Sequence, residues 1–127
     1  MTREIISTKQ APGAIGPYNQ AVKAGGFLFT AGQIPLDPAT MTVVGRTAAE
    51  QARQALANAR AVVEAGGLKL ADVVKVTVFI RDMGEFAAIN EVYTTFFGEA
   101  PPARSVVEVS GLPKDVLVEV EMIAYSG

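Results

Sequence analysis

The stretch VVKVTVFI, residues 73–80, limits the architecture of this chain more than any other segment. Successive side chains of a strand point to opposite faces, so Val74, Val76, Val78 and Ile80 share one face while Val73 and Phe79 lie on the other. A strand that is apolar on both sides needs cover on both. The last strand-like segment, about 116–124, repeats the pattern less completely. Val118, Val120, Met122 and Ala124 form a continuous apolar face, and Leu117, Glu119, Glu121 and Ile123 mix apolar groups with two carboxylates on the other.

The cover available is helical, and there is little of it. Thr47-Ala48-Ala49-Glu50 matches a capping box, in which hydroxyl and carboxylate each satisfy an otherwise unpaired helix N–H. The Ala-rich run that follows predicts a helix to Ala65, with Leu56, Ala59 and Val63 at helical spacing and Gly66-Gly67 as its stop. A second helix is predicted from about Glu85 to Phe97. It carries Phe86, Ile89, Tyr93 and Phe96 on one stripe, Asn90 at the stripe's margin, and Gly98 at its end. Residues 21–34 predict a hairpin around Gly25-Gly26, since such a pair tolerates the positive φ of a tight turn. PLDPAT, with Pro35, Asp37 and Pro38, reads as a loop. A strand from Arg104 to Val109 is joined to the final one by SGLPKD, a turn-forming connection.

The order β-β-α-β-α-β-β predicts an α+β fold, a mixed sheet with two helices packed on one face. Two helices leave the second sheet face uncovered, so its apolar residues predict burial by another subunit.

At 127 residues the chain reads as one domain, 1–127, large enough to own a core. The net charge of −2 and the absence of any Lys or Arg run provide no basic field, so nucleic acid is not an expected partner. Neither Cys nor His occurs, which removes disulfides, thiolate nucleophiles, imidazole bases and the usual zinc ligand sets. No metal is expected. The opening MTREIISTKQ has no apolar core of a signal peptide, and no run approaches the roughly 20 apolar residues of a membrane span. A soluble, cytoplasmic protein is the expectation.

Chemistry must therefore come from carboxylates, Arg, Lys, Tyr, hydroxyls, backbone groups and water. In PPARSVVEV, Arg104 enters an otherwise Val-rich strand and shares a face with Val106 and Glu108. If this strand pairs with the last one, Arg104 and a carboxylate such as Glu119 converge. A guanidinium fork matches a small carboxylic acid, and a nearby Glu can orient or deprotonate a water. The competing reading is a structural ion pair of Arg104 with Glu108, Glu119 or Glu121, and pattern alone favours it. Tyr18, after Gly16-Pro17, is either a cleft phenol or a packed ring with a wet hydroxyl. In TAGQIP, Gly32 permits close approach of a ligand or backbone, or simply marks a strand end. Asn90 can contact a ligand or tether a loop. The five lysines are scattered, none in a setting suited to Schiff-base chemistry.

Taken together and in order, APGAIGPYNQAV, FTAGQIPLDP, EQARQALANARAVVEAGGL, VVKVTVFIRDM, PPARSVVEV and LPKDVLVEVEMIA resemble the Rid (YjgF-like) family of reactive intermediate deaminases. The resemblance implies a chorismate-mutase-like α+β fold and a homotrimer with clefts between subunits. It implies hydrolysis of imino and enamino acids, of the 2-aminoacrylate and 2-iminopropionate type, to a 2-keto acid and ammonia without a cofactor. By position it implies that Arg104 binds the substrate carboxylate, Glu119 orients water and Tyr18 lines the cleft. Ala31, Gly32, Asn90 and the backbone at Val106 take the other substrate-facing positions. Two departures stand out: Ala31 where a Ser is common, and Val106 where a Cys is common. The Val106 departure keeps the backbone, and the Ala31 departure bears on substrate preference more than on reaction class. The alternatives are a non-catalytic module that senses a 2-keto acid or amino acid, and the ribonuclease or chaperone roles attributed to some relatives.

Overall fold

In the computed structural model, which describes residues 2–127, helix α1 spans Ala48–Ala65 and opens on the expected capping box. The Thr47 hydroxyl accepts from the Glu50 N–H at 3.1 Å, and the Glu50 carboxylate accepts from the Thr47 N–H at 3.1 Å. Such a cap is worth about 1 kcal/mol. The small side chains Ala52, Ala55 and Ala59 are fully buried with Leu56, Val62 and Val63, which lets the helix lie close on the sheet. The two glycines at its end have different causes. Gly67 has a φ of 84°, a left-handed conformation that favours glycine. Gly66 is conformationally ordinary, but a Cβ there would overlap the Cδ1 methyl of Leu28.

The sheet comprises β1 Glu4–Ile6, β2 Ala21–Ala24, β3 Phe27–Thr30, β4 Val73–Ile80, β5 Ala103–Glu108 and β6 Val118–Tyr125, in the order β1-β2-β3-β6-β4-β5. The β2–β3 hairpin turns at Gly25 and Gly26, with φ of 56° and 87°. Strand β1 is absent from the sequence-based order. Three residues long and on a sheet edge, with Ile5 exposed, it has too little pattern to be read.

Strands β5 and β6 do not pair, contrary to the arrangement on which convergence of Arg104 and Glu119 within one chain depends. Helix α2, Phe86–Phe97, carries the chain from β4 to β5, which lies parallel to β4 as a β-α-β crossover requires. Strand β6 then enters antiparallel on the other edge of β4, between β4 and β3.

The face assignment also changes at the start of β4. Val73 pairs with Ala124 and Lys75 with Ile123, so Val74 is the extra residue of a bulge. Val73 is consequently buried on the helix face with Val76, Val78 and Ile80, and Val74 is 44% exposed. Helix α2 buries Ile89, Val92 and Tyr93, whereas Phe86, expected on the same apolar stripe, is 37% exposed.

Both helices cover the face made by Leu28, Val76, Val78, Val118, Val120 and Met122. The opposite face bears Phe29, 45% exposed, with Phe27, Tyr125 and Val107 also exposed and Phe79 and Ile123 half-buried. Among the described residues, no helix is long and apolar enough to cross a membrane.

Candidate functional site

Arg104 pairs in register with Val76, a residue of the helix face, and its side chain reaches the flank of α2. Its Nη1 donates to the Asn90 Oδ1 at 2.8 Å. The guanidinium carbon lies 4.6 Å from the Tyr93 ring centroid and 5.5 Å from that of Phe86, both within the range of a cation–π contact. The expected structural ion pair is not formed. Glu108 instead accepts from the Met83 N–H at 2.7 Å, and the salt bridge among the described residues joins Arg81 to Asp115 at 3.0 Å. A half-buried cation without a carboxylate partner thus borders an open cavity of about 300 Å³, lined also by Pro101, Pro102, Phe97 and Gly98.

The backbone of β5 adds to this side of the site. The Val109 N–H donates to the Ile80 carbonyl at 2.8 Å, so alternate residues from Val109 backwards face β4. Arg104, Val106 and Glu108 therefore turn their backbone N–H and C=O groups to the free edge of the sheet. The Val106 side chain, in register with Val78, packs against the core, which leaves its backbone as the part available to a ligand.

Glu119 occupies the other face, in register with Phe79. Mutual hydrogen bonds of 2.7 and 3.0 Å between Gln33 and Val120 fix the segment after β3 against β6. Gly32 is thereby laid against the Glu119 carboxylate, where a Cβ would overlap its Oε2. The close approach anticipated at Gly32 is made by a side chain of the same chain. Burial holds the Glu119 carboxyl above its ordinary value of 4.5, and the negative charge of Glu121 adds to the rise. A cavity of about 230 Å³ beside it is walled by Ile15, Tyr18, Ala31, Ile34 and Pro113. The phenol oxygen of Tyr18 accepts from the Ile15 N–H at 3.1 Å.

The residues singled out in the sequence therefore fall into two groups. Tyr18, Ala31, Gly32 and Glu119 converge around one cavity; Arg104 and Asn90 border another, and the two share no lining residue. Among the described residues no cluster of three or more acidic side chains is placed to hold a metal ion.

Several supporting residues escaped the sequence reading. Buried Asn58 donates to the carbonyls of Ile34 and Leu36, each at 3.0 Å, and so seats one wall of the Glu119 cavity on α1. Buried Gln20 binds the Thr8 N–H at 2.7 Å and the Pro12 carbonyl at 2.8 Å, anchoring the segment that leads to Tyr18. Polar residues of this kind carry no periodic signal, although Asn58 on the apolar side of a helix was a hint. For Tyr93 and Phe86, the spacing from Asn90 placed them on its helix face.

Comparison with known proteins gives a consistent result over nearly the whole chain. The profile of the family described as Endoribonuclease L-PSP matches residues 8–126. A RutC family protein of Pyrococcus horikoshii is 58% identical over 97% of this chain and 98% of its own. A protein of Salmonella typhimurium named 2-iminobutanoate/2-iminopropanoate deaminase is 53% identical over 94% of each chain. The crystal structure of E. coli TdcF with bound serine matches with a TM-score of 0.94 at 50% identity, over 98% of this chain and 99% of that one. With a family match over residues 8–126 and relatives above 50% identity along nearly their whole length, the chain belongs to the Endoribonuclease L-PSP family, the group also known as Rid or YjgF-like.

Proposed function

We propose that the protein hydrolyses 2-imino acids, and their enamine tautomers, to 2-keto acids and ammonia at a site completed between copies of the chain in a homotrimer. The observation that carries this reading is the unpaired, braced Arg104 at a cavity, set against a carboxyl, Glu119, whose proton affinity is raised. Arg104 and Glu119 point to opposite faces of the sheet, so both can act on one substrate only if different copies supply them. The exposed apolar face around Phe29 and Val107 favours such packing. The Salmonella relative's name supports the reaction class.

In the proposed reaction Arg104 holds the substrate carboxylate bidentately. Glu119 of the facing copy orients a water against the imine carbon and takes its proton. Addition across the C=N bond, with that proton delivered to nitrogen, gives a carbinolamine; its hydroxyl proton then passes by way of Glu119 to the amino nitrogen, the C–N bond breaks as the C=O bond forms, and ammonia leaves a 2-keto acid. Tyr18 shapes the cleft, with its phenol in reach of the proton path. Such imines already hydrolyse in water, so holding one water beside an anchored electrophile supplies the acceleration needed.

The test is turnover of 2-iminopropanoate generated in solution by an amino-acid oxidase. Arg104→Ala is expected to lose most of the activity with an unchanged unfolding transition, and undiminished turnover by that variant would remove Arg104 from its role. A second reading, ligand binding without catalysis, draws on the serine held by TdcF. Glu119→Gln separates the two: a catalyst loses hydrolysis and keeps ligand, whereas a sensor has no turnover to lose.

A further inference from the structure

The function proposed above assigns Arg104 an anion to hold, and on that reading a further question is what keeps its guanidinium aimed. Phe86, Asn90 and Tyr93 stand at i, i+4 and i+7 on α2, hence on one helix face. All three address Arg104: Asn90 through the 2.8 Å hydrogen bond, Tyr93 and Phe86 through their rings. We infer that these residues form a neutral cradle that orients Arg104 without neutralising it, so that Asn90 and Tyr93 are positioning residues and Asn90 acts through Arg104 more than on the substrate directly.

The chemistry of the partners supports this. A guanidinium has five N–H donors, and a carboxylate at Asn90's place would occupy its fork and cancel its charge. An amide oxygen takes one donor and leaves the charge intact. Aromatic faces restrict the guanidinium plane and leave its edges free for an in-plane acceptor. Tyr93 also lines the cavity beside Arg104, so its ring holds the guanidinium at the cavity's edge. The Asn90 backbone carbonyl accepts from the Thr94 hydroxyl at 2.9 Å, a bond within the helix that leaves the Asn90 amide oxygen to Arg104.

The experiment measures binding of 2-oxobutanoate and of its uncharged amide, 2-oxobutanamide, by calorimetry on the full chain, with kcat and KM for the imine. Asn90→Ala is expected to weaken keto-acid binding about 10-fold, the worth of one hydrogen bond to a charged group. Tyr93→Leu should weaken it about three- to 10-fold through loss of the ring face. Tyr93→Phe, which keeps the ring, should return to within about twofold of the starting protein. Asn90→Asp should bind the acid more weakly than Asn90→Ala, because its charge competes with the ligand's. In each variant the change should appear in KM, with amide binding unmoved, a split that general damage to the fold would not produce. If Asn90→Ala and Tyr93→Leu bind the keto acid as the unaltered protein does while Arg104→Ala does not, the cradle is wrong and the anchor stands. If Arg104→Ala also binds normally, the anchor itself falls, and the cradle with it. Should Tyr93→Leu fail to fold, Asn90→Ala, at a half-exposed helix position, decides the matter alone.

Discussion

The surroundings of Arg104 and of Glu119 handle a charge near an apolar sheet in opposite ways. Arg104 is stabilised from several directions by neutral groups: an amide oxygen and two aromatic faces. Glu119 is given nothing comparable; burial and a like-charged neighbour, Glu121, raise its proton affinity, and Gly32 presses on it from one side. The first environment suits a group that must remain charged and stay still. The second suits a group that must exchange a proton. This contrast in surroundings, more than the identity of either residue, is the physical argument for assigning anchoring to one and proton handling to the other.

The largest effect expected from that contrast is on turnover. Glu119→Gln should lower kcat by about 10²–10³-fold with keto-acid affinity preserved, measured on in-situ imine. A loss confined to KM would instead make Glu119 a second anchor. The acid limb of kcat should lie above 4.5, the ordinary glutamate value, and Glu121→Gln should move it downward because one cause of the rise is gone. A limb at or below the ordinary value would break the comparison.

Next in size is Asn58→Ala, expected to cost about 2–3 kcal/mol in urea unfolding because it strands two buried carbonyls. Its functional effect should fall on kcat, through the Ile34 wall of the Glu119 cavity, and spare keto-acid binding at Arg104. A smaller effect concerns stability and pH. A carboxyl whose folded pKa is raised contributes stability below its unfolded pKa and loses it as pH rises through the folded value. Glu119→Gln should therefore have a higher Tm than the unaltered protein at pH 7, with the gain shrinking as pH falls towards 4.5. Smallest of all, Tyr93→Phe should change unfolding free energy by less than about 0.5 kcal/mol or raise it, since the hydroxyl removed has no partner within its own copy of the chain. A clear loss would mean that the phenol, and not only its ring, belongs to the Arg104 side.

Much of this was legible in the sequence for identifiable reasons. The α1 boundaries follow from a capping box and a glycine stop, and the β2–β3 hairpin from Gly25-Gly26, each a local device that tertiary context leaves alone. The family resemblance singles out Glu119, Tyr18, Ala31 and Gly32, which line one cavity, together with Arg104 and Asn90, which line another. What escaped was non-local. Whether β5 pairs with β6 depends on which edge of β4 each strand finds, and strict alternation misplaced Val73 and Val74 because a bulge inserts a residue without any mark in the sequence. Nor could parity alone reveal that Arg104 turns towards α2, since that is decided by its parallel register with Val76.

The position of β6 bears on the order in which the protein can become whole. Strands β1 to β3 form one antiparallel meander, and β4, α2 and β5 form one crossover unit; β6, the latest strand in chain order, is bonded to both, and among the described residues no other strand is. During synthesis the two units emerge first and have no shared ladder until β6 arrives between them. Because Glu119 rides on β6, no chain interrupted before that strand can carry the proposed proton acceptor. Assembly of the sheet and acquisition of that proposed acceptor are the same late event, one that requires contacts far apart in sequence and so should be slow relative to the formation of either unit.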